Sequence, residues 1–165
     1  MNPRRHASGR KSTTDNVIFA VAVQYACPRR GVPSVISLRR FAVAALHGLR
    51  NNGAITIRVV SARESARLNM AYRGKTGPTN VLSFPFEAPA GVPCDALGDL
   101  VICAPVVARE ARAQAKLPQA HWAHMVVHGV LHLLSYDHMQ ARQARIMETL
   151  EKRILSDLGY ADPYV

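Results

Sequence analysis

Apolar residues along the chain follow two different spacings, one typical of strands and one typical of helices. Four short runs rich in β-branched residues predict strands, and five longer segments with apolar residues three or four positions apart predict helices. Strands dominate the first part and helices the last, so we expect an α+β fold with a small mixed four-stranded sheet packed against about five helices. The predicted strands are 17–26, 54–60, 79–86 and 97–103, and the predicted helices are 34–49, 61–72, 105–116, 120–134 and 140–158.

Local signals sharpen three of these elements. Ser61 followed three positions later by Glu64 has the form of a capping box, which predicts a helix start at that point. Pro85 has no backbone N–H to donate, so the third strand should be an edge strand or end there. The last helix is expected to bury one apolar stripe, formed by Ile146, Leu150, Ile154 and Leu158.

The charge distribution favours a polyanionic partner. The 165 residues include 21 Lys and Arg against 11 Asp and Glu, a formal net charge of +10. Part of this excess lies in residues 1–14, a polar segment without large apolar groups that predicts a disordered basic tail. Residues 15–165 are expected to form a single domain that keeps a basic surplus of its own. Nucleic acid is therefore a favoured partner, although charge alone specifies no reaction.

Cysteine usage and hydropathy predict a cytoplasmic protein without a membrane partner. Cys27, Cys94 and Cys103 are odd in number and widely spaced, which indicates reduced thiols rather than a disulfide framework. The apolar run 17–26 is interrupted by Gln24 and is better explained as a strand than as a signal peptide. No segment approaches the roughly 18 continuous apolar residues of a membrane span.

Histidines are concentrated in one short segment, since five of the seven lie between positions 121 and 138. His128 and His132 are four residues apart on a predicted helix, so their side chains lie on one face and can bind one metal ion. His124 is a further turn away and cannot share that ion with His132, because each turn rises about 5.4 Å. His138 can supply the third ligand if the helix ends near position 134 or 135.

This arrangement predicts one zinc ion, held at the end of a helix by His128, His132 and His138. Three protein ligands leave a fourth position for water, which is the arrangement of catalytic rather than structural zinc sites. A single histidine is more often an ordinary core or surface residue, and we assign His121 and His124 to that class. His124 or Asp137 could still orient one of the metal-binding imidazoles, and Asp137 could equally cap a turn.

The spacing also matches the zinc-protease pattern H-E-x-x-H-x-x-G-x-x-H, with two substitutions. Gly129 stands at the Glu position and Ser135 at the Gly position. The missing carboxylate is the general base of those proteases. Peptide hydrolysis by their mechanism is therefore not supported.

Three sequence blocks resemble the YbeY family of bacterial endoribonucleases, which act in ribosomal RNA maturation. Residues 128–138 (HGVLHLLSYDH) match the family's zinc motif except at Ser135, and residues 72–85 (YRGKTGPTNVLSFP) match a second block except at Thr76. Residues 97–103 (LGDLVIC) match a third block except at Leu100. The resemblance runs from about position 68 to 159. It implies an α+β fold, a three-histidine zinc site, a cytoplasmic location, association with ribosomes and an essential arginine, here Arg73.

The resemblance leads us to expect a zinc-dependent endoribonuclease specific for single-stranded RNA. It would act in maturation of the 3′ end of small-subunit ribosomal RNA and in ribosome quality control, with the ribosome or ribosome-associated proteins as partners. Zinc-bound water would be the reacting group, Arg73 would stabilise the phosphoryl transition state, and Arg73 and Lys75 would bind substrate. Three aromatic residues are candidate stacking platforms for bases: Tyr72, Phe84 and Phe86.

Two other functions stay open at this stage. One is a non-catalytic RNA-binding ribosome-assembly factor whose zinc is structural. The other is a metallopeptidase whose base comes from elsewhere in the chain.

Overall fold

A computed structural model describes residues 17–165, and the predicted basic tail 1–14 lies outside them. All four predicted strands and all five predicted helices are present, with ends that differ by a few residues. The strands are β1 (Ile18–Tyr25), β2 (Asn52–Val60), β3 (Val81–Pro85) and β4 (Ala96–Cys103). The helices are α1 (Val35–Leu46), α2 (Ala62–Arg73), α3 (Ala104–Ala113), α4 (Pro118–Leu133) and α5 (Ala141–Asp157).

The four strands form one mixed sheet in the order β1-β2-β4-β3. β1 pairs with β2 and β2 with β4 in parallel, whereas β3 is antiparallel to β4. β3 is an edge strand and ends at Pro85, as the missing N–H of proline predicts. The expected α+β architecture with a mixed four-stranded sheet and five helices is confirmed.

Side chains of β4 point alternately to two apolar clusters, one on each face of the sheet. Leu100 and Ile102 belong to the larger cluster, which contains buried residues of α1, α4 and α5. Val101 and Cys103 belong to a smaller cluster, against which Leu68 of α2 packs. α4 and α2 therefore lie on opposite faces of the sheet.

Helix starts follow the local sequence signals. The Ser61 hydroxyl accepts a hydrogen bond from the Glu64 backbone N–H (3.3 Å) at the start of α2, as the capping box predicts. The same helix ends at Gly74, which adopts the left-handed conformation (φ 62°) that favours glycine.

The prediction that Ile146 begins the buried face of α5 is wrong. Ile146 is 47% exposed, and the neighbouring Met147 is buried in its place. One residue corresponds to about 100° of rotation on a helix, so the buried face is turned away from the predicted stripe. Packing against α4 selects this face, and it carries a fully buried carboxylate, Glu151, that the apolar stripe did not include.

Candidate metal centre

α4 presents two histidines one turn apart near its C-terminal end. Their side chains are partly buried, in a helix whose other residues are mostly buried in the core. The Nε2 atoms of His128 and His132 are 3.1 Å apart. The predicted convergence of these two imidazoles is confirmed.

A tight turn brings the third histidine back to the helix. Ser135 adopts the left-handed conformation (φ 69°), and the Tyr136 N–H donates to the Leu131 carbonyl (3.0 Å). The exposed His138 ring then lies with its centroid 5.0 Å from that of His132. Glycine would adopt this φ without cost and serine does so with some strain, but the chain still reverses here.

Asp137 stabilises the loop that carries His138. Its Oδ1 atom accepts hydrogen bonds from the backbone N–H groups of His138 (2.6 Å) and Met139 (3.3 Å). Of the two roles considered for Asp137, the structure shows the turn cap.

The three imidazoles fit a zinc ion. One ring nitrogen from each of His128, His132 and His138 lies within 4.8 Å of the others. Two nitrogens that share a tetrahedral zinc at 2.0–2.1 Å are about 3.3 Å apart, close to the observed 3.1 Å between His128 and His132. Burial lowers the pKa of His132, and His128 and His138 beside it lower this pKa further. The neutral form that binds metal is therefore favoured.

A buried carboxylate lies behind His128. Glu151 is 0% exposed, and its Oε1 atom is 2.6 Å from His128 Nδ1. The Tyr164 hydroxyl donates to the other oxygen, Oε2. His124 Nε2 lies 3.7 Å from Oε2, close enough to interact electrostatically but too far for a hydrogen bond.

Glu151 is ionised despite its burial. Burial acts to raise the pKa of this carboxyl group, but the His124, His128 and Tyr164 side chains around it outweigh that effect and hold the pKa at about 2. Burial and the adjacent Glu151 raise the pKa of the Tyr164 hydroxyl, so it remains a proton donor. The group is therefore a carboxylate that accepts hydrogen bonds from its neighbours.

The same carboxylate belongs to a second set of groups with metal-binding chemistry. Ring nitrogens of His124 and His128 and an oxygen of Glu151 lie within 4.8 Å of one another. The 2.6 Å between His128 Nδ1 and Glu151 Oε1 is a hydrogen-bond distance, well below the roughly 3.3 Å between two ligands of one tetrahedral ion. We therefore interpret this set as a support for His128.

Sequence reasoning missed Glu151 and assigned His124 only tentatively to a supporting role. A signal was present, since Glu151 is four residues after Met147 and four before Leu155, both buried. An acidic residue at this position of an otherwise apolar helix face indicates a buried partner.

Gly129 faces the sheet rather than the histidines. A Cβ atom at this position would lie 2.9 Å from Leu100 Cδ2 and 3.2 Å from Val81 Cγ2. The Ser83 hydroxyl donates to the Gly129 carbonyl (3.0 Å), which holds α4 against β3. The position that carries the general base in zinc proteases is thus packed into the core.

Arg73 and Lys75 lie at the end of α2, on the other side of the sheet from α4. Both are exposed, and within residues 17–165 neither side chain forms a hydrogen bond or an ion pair. The structure brings the three histidines together but shows no contact between them and these two cations. Both side chains are free to bind a ligand in solution.

Tyr72 connects the end of α2 to the edge strand. It is 67% exposed, and its ring packs edge-on against Phe84 of β3 at 5.0 Å between centroids. Both rings line a cavity of about 440 Å³ on the α2 face of the sheet, together with Arg58 and Asp99. Phe86, just beyond β3, is also largely exposed.

Asn80 has a structural role. Its Nδ2 atom donates to both carboxylate oxygens of Glu110 (3.1 and 3.2 Å), and its Oδ1 atom accepts from the Val81 N–H (2.7 Å). His121 Nε2 is bonded to the same carboxylate at 2.8 Å. These contacts join β3, α3 and α4, as expected for residues outside the metal centre.

No helix within the described range 17–165 is long and apolar enough to cross a membrane.

The chain is similar to known proteins over most of its length. The sequence profile of the family described as "Endoribonuclease YbeY" matches residues 35–159. A protein of that name from Nitrosococcus oceani is 58% identical over 148 residues, covering 88% of this chain and 97% of its own. Another from Alkalilimnicola ehrlichii is 58% identical over 158 residues, covering 93% of this chain and 95% of its own.

The fold also occurs in solved structures. The solution structure of a Thermotoga maritima protein superposes with a TM-score of 0.56, at 20% identity, over 88% of this chain and 97% of its own. At this identity the likeness supports the fold alone.

Proposed function

The chain belongs to the YbeY endoribonuclease family, and on this basis we propose that it is a zinc-dependent endoribonuclease that cleaves single-stranded RNA. The observation that carries the metal dependence is the convergence of His128, His132 and His138 within 4.8 Å. Following the family resemblance, the proposed role is maturation of the 3′ end of small-subunit ribosomal RNA and ribosome quality control. The ribosome or its associated proteins are the proposed partners, in the cytoplasm.

His128, His132 and His138 would hold the zinc ion. A zinc ion bound by three protein ligands supplies Lewis-acid activation of water and of a phosphoryl oxygen. The chain contributes neutral imidazoles held by the helix and by the Ser135 turn. Residue 129 is glycine, so the protease base is missing from its usual position in the motif.

Arg73 and Lys75 are the proposed contacts to the RNA backbone. A guanidinium offers planar, bidentate hydrogen bonding to a phosphate and suits charge that develops during cleavage, whereas Lys75 supplies a point charge. Both side chains are exposed and free of ion pairs within the described residues, so neither must leave a partner to bind RNA.

The edge strand β3 supports a path by which one RNA strand could reach both Arg73 and the three histidines. Phe84 contacts Tyr72, next to Arg73, while Ser83 bonds to Gly129, next to His128. These successive residues of β3 point to opposite faces of the sheet. A flexible single strand that crosses this edge could meet Arg73 and the zinc ligands together, with Tyr72 as a stacking surface.

Two other functions remain as alternatives. A ribosome-assembly factor with structural zinc would bind RNA through Arg73 and Lys75 without cleaving it. A metallopeptidase would need a base outside position 129. The packing of Gly129 against Leu100 and Val81 favours the nuclease over the peptidase.

Chelation is expected to abolish cleavage of a long single-stranded RNA by the purified protein, and added zinc should restore it. The measurement is RNA cleavage followed by gel electrophoresis, with metal content determined on the same sample. Casein serves as the competing substrate. RNA cleavage that persists after complete metal removal, or casein cleavage without RNA cleavage, would contradict the proposal.

Replacing Arg73 by Ala is expected to reduce the cleavage rate by about 100-fold while RNA affinity falls only a few-fold. The reason is that charge stabilised only during the reaction affects the rate more than ground-state binding. Arg67→Ala, which removes an exposed arginine from the same helix, is the matched control and should leave both quantities within about two-fold. Equal losses of affinity and rate in Arg73→Ala would favour the assembly factor.

A further inference from the structure

The C-terminal segment of the chain is connected to the candidate metal centre through a single buried carboxylate. Glu151 Oε1 is bonded to His128 Nδ1 (2.6 Å), and the Tyr164 hydroxyl donates to Glu151 Oε2. These three side chains belong to three separate parts of the structure, namely α4, α5 and the segment after α5.

The segment that carries Tyr164 is held against the rest of the molecule. The Tyr164 N–H donates to Asp162 Oδ1 (2.9 Å), and Lys152 Nζ lies 3.3 Å from Asp162 Oδ2. Lys116, before α4, donates to the carbonyl of Pro163. The Tyr164 hydroxyl is therefore held at the buried carboxylate by contacts on both sides.

The carboxylate decides which nitrogen of His128 carries the proton. A neutral imidazole has one N–H and one lone pair, and a carboxylate can only accept. The bond from Nδ1 to Glu151 therefore places the proton on Nδ1 and the lone pair on Nε2. Nε2 is the atom that faces His132, at 3.1 Å. Metal-binding histidines commonly have their other nitrogen fixed in this way.

We propose that Glu151 and Tyr164 are positioning residues that hold His128 in its metal-binding tautomer, so that the C-terminal segment controls metal affinity. This inference rests on the proposed zinc site. Tyr164 acts through Glu151, because it is the only hydrogen-bond donor to Oε2 among the described residues and His124 is 3.7 Å away. Without that hydroxyl, a carboxylate with no exposure to water would lose one of its two hydrogen-bonded partners.

The test compares Glu151→Gln and Tyr164→Phe with two matched controls. Asp157→Asn removes an exposed carboxylate from the same helix, and Tyr160→Phe removes a hydroxyl that forms no hydrogen bond within residues 17–165. Zinc affinity is measured by competition with a chromophoric chelator. We expect a loss of about 10- to 100-fold for Glu151→Gln, a smaller loss for Tyr164→Phe, and changes under two-fold for both controls.

Two further readouts separate positioning from a general loss of structure. In the zinc-free protein, ¹⁵N-detected NMR of the histidine rings should show His128 protonated on Nδ1, and this preference should weaken in both variants. In a double-mutant cycle, Tyr164→Phe should have no further effect once Glu151 is Gln, because the tyrosine acts through that carboxylate. Thermal unfolding confirms that each variant is folded.

Each outcome bears on one proposal. A wild-type protein that binds no zinc would overturn the proposed function itself. The positioning role alone would be overturned if the wild-type protein binds zinc and if Glu151→Gln and Tyr164→Phe bind it with the same affinity as the controls. Additive losses of zinc affinity in the double-mutant cycle would show that Tyr164 does not act through Glu151. If Glu151→Gln does not fold, the milder variant Tyr164→Phe tests the positioning role, through its zinc affinity and through the tautomer of its His128.

Discussion

Replacing His132 by Ala is expected to remove zinc binding and to lower RNA cleavage by more than about 1,000-fold. His132 is the central one of the three proposed ligands, with its Nε2 atom 3.1 Å from His128 Nε2 and its ring centroid 5.0 Å from that of His138. Two remaining imidazoles, one of them exposed on a loop, are too few to hold an open zinc site. Replacing a residue that hydrogen-bonds to a metal ligand typically lowers metal affinity or activity about 10- to 100-fold, so loss of the ligand itself should lower them more.

The control is His47→Ala, which removes an exposed histidine at the end of α1. Zinc content, RNA cleavage and RNA affinity are measured on both variants. We expect His47→Ala to match the wild type, and His132→Ala to keep RNA affinity while losing zinc and cleavage. Cleavage at the wild-type rate by zinc-free His132→Ala would contradict the metal-dependent mechanism. Loss of folding together with zinc would favour the structural-zinc alternative.

Replacing Gly129 by Glu, which restores the zinc-protease motif, is expected to destabilise the protein rather than to create a peptidase. A Cβ atom at this position already comes within 2.9 Å of Leu100 Cδ2. A whole glutamate side chain would force α4 away from β3 and β4, or bury a charge among apolar residues. The free energy of unfolding should fall by about 4 kcal/mol or more.

The matched control is Gln119→Glu, which introduces the same residue at an exposed position of the same helix. Chemical denaturation of both variants gives the comparison, and the control should stay within about 0.5 kcal/mol of the wild type. A stable Gly129→Glu protein that cleaves casein would show that position 129 reaches the zinc ligands, contrary to its packing here.

Local information in the sequence was sufficient to predict the elements and the convergence of three histidines. Strand and helix periodicities depend on neighbouring residues, and so do the capping box at Ser61 and the strand end at Pro85. The convergence of His128, His132 and His138 was predictable for the same reason, because these residues lie within eleven consecutive positions. Helix geometry and one turn are enough to bring those three side chains together.

The structure differed from expectation where contacts join distant parts of the chain. The buried face of α5 depends on how that helix packs against α4, so the predicted stripe failed at Ile146. The proposed role of Arg73 came from family resemblance, and its place on the α2 side of the sheet was not predictable from local sequence.

The sequence by itself therefore determined the α+β fold class, the nine elements and the three histidines, all of which follow from spacing within short segments. Only the tertiary structure decided that Glu151 and Tyr164 stand behind His128, 23 and 36 residues away in the chain. The sequence around Glu151 indicates a buried partner but does not identify it, because the groups that supply hydrogen bonds to a buried carboxylate are distant in the chain.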